Sequence, residues 1–231
     1  MPTTSAISSV EDKKRLVRRL AGDGRGFAER YGFRVTNNPS QLFQVLYLSV
    51  LLARRGDFHK AIDAATGLRD AGWDSAARLA RSLHADRVRV LRAAGQRGDV
   101  DALSATLGDL AQNLVDAYRG DLRRLRTEAH QDAGRERRLL TALPGVDDEV
   151  ADLFLREVQA VWREVAPVAD RRALAAARRL GLGRSADDLA GLAGSGESER
   201  LAWLVGALAR VDLEKRYAEV TADGSRSRRG G

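Results

Sequence analysis

Apolar residues recur along this chain at intervals of three and four, the spacing that places them on one side of an α-helix. Leu103, Leu107, Leu110, Leu114 and Val115 follow it through a stretch from Asp101 to Tyr118, with Gly120 placed to close the helix. The stretch Leu42 to Leu52 departs from the pattern because it is apolar on nearly every side. A helix there belongs at the centre of a core. Asn38-Pro39-Ser40-Gln41 marks its start, with an N-cap, a proline in the first turn and a glutamine after it.

Other start and stop signals divide the rest. Ser9 and Asp12 read as a capping box for a basic helix through Leu20, after residues 1–8 expected to be disordered. Gly22, Gly24 and Gly26 end that helix, and with no strand before them they are not a dinucleotide fingerprint. Asp57 caps a helix through Leu68, which Gly72 breaks. Trp73-Asp74-Ser75 starts another through about Leu83, and Arg87 to Ala94 forms a short one. Ser185 opens a short helix, and Leu201 to Leu208 forms the apolar part of a later one. Valine is dispersed at helical spacing, and alanine, leucine and arginine favour helix, so the predicted fold class is all-α.

One stretch organises the remainder. Residues 135–180 parse as helix, tight turn, long helix, short turn and helix. Leu143-Pro144-Gly145-Val146 is the turn: proline pre-sets its dihedral, glycine takes the conformation other residues avoid, and Leu143 and Val146 bury beneath it. Asp170, twenty-five residues after Gly145, is a good N-cap ahead of Arg171 and Arg172.

This arrangement resembles the helix-hairpin-helix (HhH-GPD) DNA glycosylase superfamily, in its endonuclease III-like branch. There a leucine-proline-glycine-valine-glycine hairpin grips a DNA phosphate through backbone amides, and a later aspartate serves base excision. The resemblance implies two helical lobes with a cleft between them. Residues 37–152 would form a barrel-like domain ending in the hairpin, 9–36 with 153–220 a second domain, and 221–231 a disordered basic tail. It further implies that Leu143, Gly145 and Val146 meet DNA, with Arg137, Arg138, Arg171 and Arg172 near the backbone, and that Asp170 is the catalytic carboxylate. Leu51 falls where the family places a residue that fills the gap left by the extruded base; a leucine there also suits a core.

The sequence departs from the family just after the turn. Asp147 replaces the second hairpin glycine, Asp148 follows, and Glu149 stands in place of the lysine that attacks the sugar in bifunctional members. A carboxylate cannot form a Schiff base, and the chain's lysines, Lys13, Lys14, Lys60 and Lys215, all lie outside this segment. The expected activity is therefore that of a monofunctional glycosylase, with no lyase step and an abasic site as product. Three acids in a first turn also stabilise the helix, by roughly 0.3 to 1 kcal/mol each. A DNA phosphate about 4 Å from any of them would meet about 4 kcal/mol of repulsion at an effective dielectric near 20.

Composition narrows the choices. A net charge of +7 and 39 basic residues, nearly all arginine, suit double-stranded DNA carrying a damaged or modified base. The densest basic run holds Arg123, Arg124, Arg126, Arg135, Arg137 and Arg138, which read equally as a solvated face or a binding face. With no cysteine the chain cannot hold a disulfide, a thiolate zinc site or the four-cysteine iron–sulfur cluster of many relatives. His59 and His84 each lack a second ligand at helical spacing, so neither metal nor other cofactor is expected. No apolar run is long enough to span a bilayer and no signal peptide precedes Val10; a cytoplasmic monomer without membrane contact is the expectation.

Two alternatives stay open. One is a catalytically silent relative that binds nucleic acid or a protein partner through the arginine-rich run. The other is a helical domain whose likeness is accidental, with Asp170 no more than an N-cap worth about 1 kcal/mol.

Overall fold

A computed structural model describes residues 9–54, 56–194 and 196–226, and among them every regular element is helical. The chain forms two units: a continuous one, residues 31–158, and a split one built from the chain up to Arg30 and from Gln159 onward. The sequence placed these boundaries at 37 and 152.

The split unit opens with α1 (Val10–Leu20) and the short α2 (Phe27–Arg30). Ser9 Oγ accepts the Asp12 amide at 3.0 Å and donates to its carboxylate at 2.7 Å. The expected disorder of residues 1–8 lies outside the described residues.

The continuous unit is organised around α3 (Pro39–Ala53), which buries Leu42, Phe43 and every residue from Val45 to Leu51. Asn38 caps it by accepting the Ser40 amide at 3.0 Å. The helix packs against α4 (Phe58–Asp70), α8 (Leu122–Glu128) and α10 (Asp148–Val158). The remaining helices of the unit are α5 (Ala76–Ala80), α6 (His84–Ala93), α7 (Val100–Tyr118) and α9 (Ala133–Thr141). Here α7 meets α5, α6 and α8, burying Leu103, Leu107, Leu110 and Leu114.

Two helical boundaries differ from expectation for identifiable reasons. The helix expected to reach Leu83 stops at Ala80, because Ser82 turns both its amide and its hydroxyl onto the Leu79 carbonyl. The chain restarts at His84, three residues before the predicted Arg87. The long helix expected after the hairpin ends at Val158, and twelve irregular residues with one 3₁₀ turn at Arg163–Val165 follow it.

The split unit resumes with α11 (Arg171–Arg179), α12 (Ala186–Ala193), α13 (Ser198–Glu214) and α14 (Tyr217–Arg226). Helix α13 is the hub, in contact with α1, α2, α11, α12 and α14. The approach of α2 is close: a Cβ at Gly206 would sit 2.5 Å from the Phe27 backbone nitrogen, so only glycine fits there. Helix α14 continues through Arg226, beyond the expected start of a disordered tail at 221, and residues 227–231 lie outside the described residues.

Candidate functional site

The turn between α9 and α10 has the shape its residues dictate. Leu143 and Val146 are buried, Gly145 adopts φ 73°, and the Val146 amide donates to the Leu143 carbonyl at 3.1 Å. A side chain at Gly145 is doubly disfavoured, since its φ is left-handed and a Cβ would lie 2.2 Å from Thr106 Cγ2 on α7. Gly145→Ala is expected to destabilise the protein by about 2 kcal/mol, read as a lower urea midpoint at unchanged slope.

The acids after the turn take structural positions. Asp147 accepts the Val150 amide on Oδ1 at 2.8 Å, making it the N-cap of α10. Asp148 and Glu149 are exposed in the first turn, where the helix dipole favours negative charge. Arg137 on α9 reaches across the hairpin to Asp152 at 2.6 Å and Asp148 at 3.6 Å, so its guanidinium is committed to the protein. Arg138, beside it, is exposed. The hairpin therefore keeps its fold while placing a carboxylate of its own on one of the amides at the start of α10.

Asp170 caps α11 as the sequence requires. Its Oδ1 accepts the amides of Arg172 at 2.8 Å and Ala173 at 3.3 Å, and the residue is only 3% exposed. The approach to it is fixed by a contact the sequence did not reveal. Gln159, fully buried, donates Nε2 to the Val168 carbonyl at 2.8 Å and accepts the Val168 amide at 3.0 Å. This two-way amide pairing holds the backbone two residues ahead of the carboxylate. A lone glutamine gives no local signal of such a pairing across nine residues.

Arg172 pairs with Asp212 on α13 at 3.2 Å, while Arg171 is exposed. Asp212 also accepts Lys215 at 3.1 Å and the Tyr217 hydroxyl at 2.7 Å, tying the junction of α13 and α14 to α11. Burial alone would push the Asp212 carboxyl up, but Tyr217, Lys215 and Arg172 together hold it below the ordinary carboxylate range. Burial, then the Asp212 hydrogen bond, push the Tyr217 hydroxyl up to about 12. A depressed folded-state pKa stabilises the fold above the unfolded value near 4 and stops doing so as pH falls through the folded value. Asp212→Asn is expected to cost about 2 kcal/mol at pH 7, a penalty that shrinks below about pH 4, measured by urea unfolding across that range.

Leu51, the residue expected at the base gap, is 1% exposed and lies at the end of the core face of α3. Its placement matches the core reading of that position; a residue that enters a base stack must be exposed. Of the densest basic run, Arg123 is held by Asp121 at 2.8 Å, and Arg124 and Arg135 are exposed.

No protein-family model matches the chain, and no curated protein matches it. Solved structures do. The chain is similar to the Helicobacter pylori 3-methyladenine DNA glycosylase MagIII bound to 1,N6-ethenoadenine. The TM-score is 0.55 at 15% identity, over 88% of this chain and 97% of that one. It is also similar to endonuclease III in a trapped covalent intermediate with DNA, with a TM-score of 0.50 at 17% identity, over 86% and 85% of the two chains. The fold is that of the helix-hairpin-helix DNA glycosylases. The chain has no cysteine that could hold an iron–sulfur cluster. No helix among the described residues is long and apolar enough to cross a membrane.

Proposed function

We propose that the chain acts on double-stranded DNA as a monofunctional DNA glycosylase, releasing a damaged or modified base and leaving an abasic site. The observation that carries this reading is Asp170: in a glycosylase fold, a carboxylate at the start of α11 is held by two backbone amides and by the Gln159–Val168 pairing just before it.

The glycosidic bond is out of reach inside a base stack, so the target nucleotide must be extruded before it reacts. As the bond breaks, its electron pair leaves with the base and positive charge grows on the sugar. The fixed negative charge of Asp170 stabilises that charge. Water adds to the anomeric carbon and gives up one proton to solvent, and the departing base takes up one proton from solvent, so the products are the sugar hydroxyl and the protonated free base. Glu149 stands where an amine would be needed for strand cleavage, which supports base release without a nick.

Asp147 favours a second reading. Its carboxylate on the Val150 amide sits beside the place where the hairpin of this fold would grip phosphate, as expected of a relative that binds without catalysis. Single-turnover base release from duplexes carrying alkylated or etheno-modified bases separates the two. Release that is lost in Asp170→Asn fits a glycosylase. Salt-sensitive binding without release, and with no preference for abasic sites, fits the silent binder.

A further inference from the structure

A pocket of about 460 Å³ opens in the continuous unit between two turns, the one from α3 into α4 and the one from α6 into α7. Leu51 and Ala61 form its apolar part. Its rim carries Arg54, Lys60 and Arg97, against a single carboxylate, Asp57. Several surface arginines of this protein are matched to acids, among them Arg18, Arg30, Arg78, Arg89, Arg92 and Arg216. By contrast, among the described residues no acid lies within ion-pair reach of Arg54, Lys60 or Arg97.

Asp57 is the one carboxylate at the rim, and it also caps α4. It accepts the His59 amide at 2.9 Å as the cap of α4, and lies 3.2 Å from His59 Nδ1. The backbone bond foremost, then the His59 side chain and the charges of His59 and Lys60, hold its carboxyl below the usual range. The two turns are tied together, since Gln96 donates Nε2 to the Lys60 carbonyl at 2.9 Å. The stem of Lys60 passes over Gly95, close enough that a Cβ there would sit 3.4 Å from Lys60 Cδ. Gly56 and Gly98 have open space where a side chain would stand, so backbone is accessible from the pocket. Three cations set around one hollow against a single carboxylate leave it with an excess of positive charge, and an anionic oxygen group brought among them would meet charge-assisted donors on more than one side.

We propose that this pocket seats a phosphate group of a nucleic-acid backbone, held by Arg54, Lys60 and Arg97. The nucleic acid in that statement rests on the glycosylase reading; the preference for phosphate does not. Two measurements test it: duplex binding by fluorescence anisotropy as a function of salt, and titration of inorganic phosphate into the labelled protein, followed at the Gly56, Gly95 and Gly98 amides by NMR. The triple variant Arg54→Gln, Lys60→Gln, Arg97→Gln is expected to bind duplex about tenfold more weakly, with a salt slope smaller by about one unit, at unchanged thermal midpoint. Phosphate is expected to shift the three glycine signals in the wild type only. A wild type that binds duplex and a variant with the same affinity and slope would overturn the inference and leave the glycosylase reading standing. If the wild type binds no duplex, the glycosylase reading and the nucleic-acid source both fail. Glycine shifts with phosphate would then still support the anion site, and their absence would remove it.

Discussion

Asp170→Asn is expected to abolish base release while leaving the fold nearly as stable as the wild type. Both effects follow from the same atoms. Asparagine is as good an N-cap as aspartate, and its side-chain oxygen can take over the bonds that Asp170 Oδ1 accepts from Arg172 and Ala173. Stability should therefore change by less than about 1 kcal/mol. What asparagine lacks is the full negative charge. Removing one preorganised group that stabilises transition-state charge costs about 10²- to 10³-fold in rate. Asp170→Ala separates the roles: it loses the cap as well, so stability should fall by about 1 kcal/mol in addition to the loss of activity. Single-turnover base release and urea unfolding on the same three proteins read both quantities. Base release by Asp170→Asn at the wild-type rate would end the assignment of this carboxylate to catalysis.

Much of the fold could be read from the chain because it is written in local signals. Ser9, Asn38, Asp57, Asp170 and Ser185 all cap the helices they were expected to cap, each accepting amides two or three residues on. The all-apolar face of α3 marked it as the centre of its unit for an equally local reason, since no exposed side was available to it. The places that could not be read are those where distant residues decide. Ser82 ends a helix through its own hydroxyl, a choice that serine makes only in some surroundings. Gln159 pairs with Val168 across the irregular segment, and Asp212 gathers Arg172 from α11, Lys215 from the turn after α13 and Tyr217 from α14. Arg54, Lys60 and Arg97 come together at one pocket from two turns and the first turn of α4, whereas the basic run that looked densest in sequence is partly matched to acids. A count of charges along a chain does not say which are neutralised in space.

The acids at the start of α10 show how the same local rules separate fold from grip. Asp147 keeps the turn in place by capping the helix, so exchanging glycine for aspartate at that position is compatible with the hairpin's shape. Under the proposed function, that charge would face a phosphate approaching the turn, and DNA affinity would then come from cations elsewhere, such as Arg138, exposed beside the turn, and the three at the pocket. Arg137, drawn to Asp148 and Asp152, is not among them.

Glu157→Gln is expected to have the largest effect on stability of any conservative change at the far end of that helix. Arg156 and Glu157 have side chains only 2% and 3% exposed, with Arg156 Nε 2.6 Å from Glu157 Oε1. Adjacent residues on a helix point to different sides, so this contact forms only because both side chains turn into the same interior. Nothing in an arginine–glutamate dipeptide of an amphipathic helix announces it. Glutamine preserves size and a hydrogen-bonding oxygen but withdraws the charge facing the guanidinium, and in a buried setting that loss costs about 3 to 5 kcal/mol. Replacing both residues by apolar ones of similar volume, as in Arg156→Met with Glu157→Leu, removes two desolvation costs together with the attraction. The double variant should therefore be more stable than Glu157→Gln, with a coupling of about 1 to 3 kcal/mol in a double-mutant cycle measured by urea unfolding. Additive single-variant costs would show that the two charges are held by their separate surroundings and not by each other.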